Sequence, residues 1–148
     1  HSPTEEEAAQ LLGVRAVLET YSAQLAARNA KPEDIAHLDE LQLEGIAALA
    51  DGDVERLVAA NTALHDFITA VADNAVLAEL IAQVGQKVRW YYTPIAKPRG
   101  KEAWNEHTQL IKAIAKGDAE QAGEVMRKHT ERTTDFYRRQ IAARVNQD

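Results

Sequence analysis

This sequence predicts an all-α fold, and three observations carry that expectation. Apolar residues recur at helical spacing along most of the 148 positions. The gaps between those runs hold residues that start and stop helices, and strand-like alternation is missing throughout. The connections are short, which favours antiparallel neighbours in a bundle of about six helices. A chain of this length suits one domain burying roughly 70% of its unfolded surface.

Each element has its own signals. Thr4 is placed to cap a first helix, and Glu7 three residues on completes a capping-box pattern. Ala8, Leu11, Val14, Leu18 and Leu25 then follow the helical period. Lys31-Pro32 restarts the chain, since proline suits a first helical turn. Ile35, Leu38, Leu41, Ile46 and Leu49 carry the second helix to Asp51-Gly52. Asp53 caps a third, with Leu57, Leu64, Ile68 and Val71 on its inner stripe. Asn74 caps a fourth through Val76, Leu77, Leu80, Ile81 and Val84. Proline disfavours helix at the residue before it, so this helix is expected to weaken at Tyr92-Thr93-Pro94. Residues 96–100 are expected to form an irregular connection, followed by a fifth helix from about Lys101 to Lys116. A sixth, capped by Asp118, runs almost to the C-terminus.

Composition narrows the function classes. A net charge of −6 argues against this chain itself gripping a phosphate backbone. No apolar run approaches the ~20 residues of a membrane span, and no signal-like segment precedes the fold. Without cysteine, any transition-metal site must draw on His, Asp, Glu or amide oxygen. A cytoplasmic setting is compatible with this. His1-Ser2 reads as the remnant of an expression tag.

Three histidines carry the chemistry. His107 shares a helix face with Ala103, Leu110, Ile111 and Ile114, and His129 one with Ala122, Val125, Met126 and Phe136. They lie ten residues before and twelve after Gly117. At about 1.5 Å rise per residue, an antiparallel pair brings both to the same depth. On the third helix Asn61 and His65 are four apart and stack on one face. Inward imidazoles need hydrogen-bond partners or a shared metal ion, because an unpaired buried ring is costly. A hydrogen-bonded polar core is the plainer alternative. His37, beside Glu40 and Glu44, reads as solvated.

The chain resembles the FadR C-terminal (FCD) domain, the effector-binding half of GntR-type bacterial transcription regulators. Arg15-Ala-Val-Leu-Glu19, Leu25-Ala-Ala-Arg28 and Asn61-Thr-Ala-Leu-His65-Asp-Phe67 begin the series of matching segments. Ala72-Asp-Asn74, Glu106-His107, Ala113-Ile-Ala-Lys-Gly-Asp118, Ala122 and Met126-Arg-Lys-His129 continue it in order, across residues 4–146. The resemblance implies an antiparallel bundle with a central cavity. Some members hold a divalent ion there with one aspartate and three histidines. Carried over, the histidines are His65, His107 and His129, and the aspartate position holds Asn61. The amide offers an oxygen but no negative charge. Either a divalent ion (Zn, Ni or Mn-like) is held by these groups, or the three histidines hold the effector directly.

The effector implied is a small carboxylate. Arg15 is a candidate to grip it with its planar fork, the alternative being a surface ion pair with Glu19. Arg89 is a second candidate, the alternative being a solvated arginine along Trp90. Tyr92, with Tyr91, offers hydroxyls to the cavity, although core packing is the commoner fate; Arg138-Arg139 reads as an exposed face. The resemblance therefore implies a homodimeric, cytoplasmic ligand sensor and not an enzyme. In the family a winged helix-turn-helix precedes this domain and binds operator DNA. No such segment is present in this sequence, so it reads as a C-terminal fragment. Two other classes remain open. One is a metal-dependent hydrolase, for which Asp66 beside His65 is poorly placed, since adjacent helical residues point about 100° apart. The other is a structural or interaction bundle with a polar core.

Overall fold

A computed structural model of the chain describes residues 4–147, with side chains as far as residue 143; His1-Ser2 lies outside the described residues. Five helices follow one another: α1 (Glu5–Asn29), α2 (Pro32–Asp51), α3 (Val54–Ala72), α4 (Ala75–Ala115) and α5 (Ala119–Gln147). No strand occurs among the described residues. None of these helices is long and apolar enough to cross a membrane.

Short polar side chains set the boundaries, as their positions in the sequence suggest. The Thr4 hydroxyl accepts from the Glu7 amide at 3.1 Å, Asp53 accepts from Arg56 at 3.1 Å, and Asn74 accepts from Leu77 at 3.0 Å. Asp118 accepts from the Gln121 amide at 3.1 Å and so starts α5. Each cap satisfies an amide that the helix cannot. Gly117 supplies the left-handed turn between α4 and α5, with φ 70°.

The expected break at Tyr92-Thr93-Pro94, and the irregular connection at residues 96–100, do not occur. The predicted fourth and fifth helices are one α4 of 41 residues, with Pro94 and Pro98 inside it, so the described residues form five helices and not six. Burial accounts for the difference. A proline inside a helix costs about 3 kcal/mol, whereas a fully buried large apolar side chain contributes about 1.5–3 kcal/mol. Val88, Tyr91, Ile95 and Trp104 are all buried along this stretch, enough to offset both prolines. The prolines themselves are exposed, as are Trp90 and Pro94, whose carbonyls lose their helical donors and lie on the solvent side.

The core lies where α1, α3, α4 and α5 meet. Leu57, Leu64 and Ile68 of α3 pack with Leu110 and Ile114 of α4, Ala23 and Ala26 of α1, and Met126 of α5. Leu38 and Ala48 attach α2 to this cluster. Alanines on α1 let its neighbours approach closely, and glycines serve α4 the same way. A Cβ on Gly45 of α2 would fall inside the Trp104 indole, and one on Gly100 would meet Leu49 at 2.5 Å. The rigid ring cannot yield as an aliphatic side chain can. Gly45→Ala is therefore expected to cost about 1–3 kcal/mol through overpacking. Thermal denaturation should show a melting temperature several degrees lower; an unchanged one would mean that Trp104 is not seated on Gly45.

Candidate metal and ligand site

The helices bring the three histidines together. His65 lies on the core-facing side of α3 with Asn61 one turn before it, and both are buried. The tight Gly117 turn reverses the chain, so His107 of α4 and His129 of α5 meet at equal depth, with their Nε2 atoms 3.3 Å apart. One nitrogen from each of His65, His107 and His129 lies within 4.8 Å of the others, all three residues being buried. Two nitrogens bound to one tetrahedral ion at about 2.0–2.1 Å would be roughly 3.3 Å apart, which is the His107–His129 separation.

Two carboxylates, Glu19 buried and Glu106 partly buried, orient the rings. His65 Nδ1–H donates to Glu19 Oε1 at 3.0 Å, and His129 Nδ1–H donates to Glu106 Oε1 at 2.7 Å. Those bonds fix the protons on Nδ1 and leave the Nε2 lone pairs of both rings available. His107 then carries its proton on Nε2, shared with His129, while its Nδ1 is buried without a partner. A dication in that gap would replace the shared proton, so the donor set suits a metal ion.

Behind these carboxylates stand two arginines. Arg15 Nε lies 3.5 Å from Glu19 Oε2, and its Nη1 donates to the Tyr91 hydroxyl at 2.7 Å. Arg99, only 1% exposed, grips Glu106 with both terminal nitrogens. Its Nε donates to Thr133 Oγ1 at 3.1 Å and its Nη2 to the His129 carbonyl at 3.1 Å. Arg132 reaches Glu106 from the surface at 3.3 Å. Every charge buried here has an opposite charge in contact, as burial requires.

Ionisation follows from this arrangement. Burial works to raise Glu19, but the attraction of Arg15 and the His65 hydrogen bond outweigh it and hold its carboxyl well below the usual range. Burial, reinforced by the nearby His129 and His65, pushes His107 well down. Burial lowers His129 as well, although the Glu106 bond opposes it. Lowered in this way, His107 and His129 keep lone pairs able to ligate near pH 7.

A cleft of about 460 Å³ opens beside the cluster, lined among others by Arg15, Asn61, His65, Arg89 and Tyr92. A second gap, of only about 20 Å³, is bordered by Asn61, His65, Tyr92 and His129. That is room for one ion or water and no organic molecule. The Tyr92 hydroxyl is buried without a hydrogen-bond partner, and burial pushes its pKa up. Arg89 is exposed on the cleft wall, and Asp66 is exposed on its rim. His37 is half exposed beside Glu40, against Phe67, and Arg138-Arg139 is exposed.

Sequence reasoning placed the histidines, Asn61, Arg15, Arg89 and Tyr92 around one space. The Arg15–Glu19 ion pair, the alternative to a carboxylate-gripping Arg15, is present but partly buried, with Glu19 only 3% exposed. Glu106, Arg99 and Thr133 were missed. Glu106 precedes His107 and so projects about 100° away from it, towards α5. Arg99 lay in the segment expected to be irregular. The available signal for Glu19 was its position one turn after Arg15 on a helix whose small residues allow close packing.

A helical bundle with a buried histidine cluster beside a cleft has the build of a sensing domain. A family-wide description of the FCD domain matches residues 10–132, and the chain belongs to that family. It is an effector-sensing, GntR/FadR-type helical domain rather than an enzyme, and its His65, His107 and His129 are able to coordinate a metal ion. The fold is similar to that of E. coli McbR/YncC, with TM-score 0.84 and 21% identity over 93% of this chain and 70% of that one. It is also similar to Streptococcus agalactiae GntR, with TM-score 0.74 and 20% identity over 86% of this chain and 58% of that one. No curated protein matches the sequence.

A stability profile follows from the ionisation. Between the depressed folded values of His107 and His129 and the unfolded imidazole value of about 6.5, only the unfolded chain binds the protons. Stability of metal-free protein is therefore fully present above about pH 7 and lost as pH falls below about 6.5. Glu19 adds a further loss with the same sign below about pH 4–5. Urea denaturation across this range should show the decline, and His107→Gln should flatten its upper part. A flat profile from pH 7 to 5 would contradict the assignment.

Proposed function

We propose that the chain is the effector-binding domain of a GntR/FadR-type DNA-binding transcription regulator, sensing a small organic acid through a divalent metal ion. His65, His107 and His129 would hold the ion, with the Asn61 carbonyl oxygen as a fourth ligand. The ion supplies a Lewis-acidic position for a carboxylate. The observation that carries this reading is the buried histidine cluster bordering the 460 Å³ cleft.

In this reading the cleft is the central effector cavity, and its residues divide the work. Arg89, exposed on the wall, attracts the anion. The unpartnered Tyr92 hydroxyl donates to a carboxylate oxygen. Arg15 is held by Glu19 and Tyr91, so it contributes a fixed positive edge and little freedom to swing. In the full-length regulator a homodimer would address operator DNA through a separate winged helix-turn-helix, and the effector would act by differential affinity for two domain arrangements. If the ion is not taken up, the same histidines would hold the acid directly.

Isothermal titration of chelator-treated protein with Zn²⁺ and Ni²⁺, then with a panel of mono-, di- and hydroxycarboxylic acids, tests the proposal. One ion per chain is expected, with acid binding that weakens when the ion is removed and when Arg89 becomes alanine. Protein that binds no ion and is stabilised by no acid would be a structural bundle; turnover dependent on His107 would make it an enzyme. Asn61→Asp should tighten ion binding by supplying a charge, and an unchanged or weaker affinity would remove Asn61 from the ligand set.

A further inference from the structure

The ligand ring of this chain carries no negative charge of its own, because Asn61 stands where the family resemblance places an aspartate. Neutral ligands alone offer little to a hard cation. The nearest negative charges are one group farther out. Glu106 divides its charge among His129, Arg99 and Arg132. Glu19 divides its own between only two partners, Oε1 to His65 Nδ1 at 3.0 Å and Oε2 to Arg15 Nε at 3.5 Å. It comes from α1, is 3% exposed and lines both the cleft and the small gap beside the cluster.

We infer that Glu19 is a positioning residue that turns His65 Nε2 inward and strengthens it as a donor, so that a site lacking the ring aspartate selects a nitrogen-preferring dication over an oxygen-preferring one. The inference rests on the proposal that the three histidines hold an ion. A carboxylate hydrogen-bonded to one imidazole nitrogen raises the basicity of the other and fixes the ring's tautomer and orientation. A liganding aspartate would offer a hard oxygen directly, which suits Mn²⁺; a carboxylate acting through imidazole strengthens only the nitrogen bond, which suits Ni²⁺ or Zn²⁺. With Asn61 in the aspartate position, the charge left to the site through the buried Glu19 acts only by way of a nitrogen ligand.

The test titrates Ni²⁺ and Mn²⁺ into the chelator-treated chain, and records the visible spectrum of its Co²⁺ form. Glu19→Gln should weaken Ni²⁺ binding about 10- to 100-fold and shift the Co²⁺ bands. Adding Asn61→Asp to Glu19→Gln should restore Ni²⁺ binding and raise Mn²⁺ affinity relative to it. If Glu19→Gln loses its helical circular dichroism, Glu19→Asp keeps a counter-charge for Arg15 while drawing the carboxylate back from His65, and should show the same loss. Ni²⁺ affinity and Co²⁺ bands unchanged in whichever of the two variants is folded would overturn the inference alone. Unaltered protein that takes up neither Ni²⁺ nor Co²⁺ would overturn the metal proposal, and this inference with it.

Discussion

Burying three imidazoles at one point of a helical bundle is the constraint from which the rest of the structure follows. Each ring brings two nitrogens into a largely buried region, and each unpaired nitrogen would cost on the order of 1–3 kcal/mol. Glu19 and Glu106 answer for the Nδ1 atoms of His65 and His129. Those carboxylates are themselves wholly or partly buried and need counter-charges, which Arg15 and Arg99 supply. Each layer thus requires the next, and four of the five helices contribute to it. On the cleft wall the Tyr92 hydroxyl is buried with no partner among the described residues, and so is free to meet a ligand there.

The long α4 is best understood through the same constraint. It carries Tyr91 and Tyr92 on one half and Arg99, Glu106 and His107 on the other, so one rod spans the cleft wall and the histidine cluster. Arg99 sits between Pro98 and Gly100, where a helix would otherwise be weakest, and is tied to α5 through Thr133, the His129 carbonyl and, indirectly, His129 itself. A ligand that pulls on Tyr92 or on the histidines therefore acts on a continuous element rather than on two helices joined by a loop. This is the physical route by which occupancy could bias domain arrangement in a regulator.

Much of this was legible in the sequence, for identifiable reasons. Caps such as Thr4, Asp53, Asn74 and Asp118 act locally, and local signals survive folding. The meeting of His107 and His129 followed from arithmetic about a glycine turn. The continuity of α4 through Pro94 and Pro98 was not legible, because it depends on what Tyr91, Ile95 and Trp104 bury against other helices. The roles of Glu19, Glu106 and Arg99 were hidden for a related reason. Charged residues are usually exposed, and only the three-dimensional proximity of opposite charges and imidazoles makes their burial affordable.

The central claim is that the chain holds one ion through three imidazole nitrogens, oriented from outside by carboxylates. X-ray absorption spectroscopy of the Zn²⁺-loaded protein tests it most directly, since imidazole ligation has a recognisable outer-shell scattering pattern. The account predicts three nitrogen ligands from imidazole at about 2.0–2.1 Å, completed by oxygen. An ion bound through a single imidazole, or through oxygen ligands alone, would contradict it.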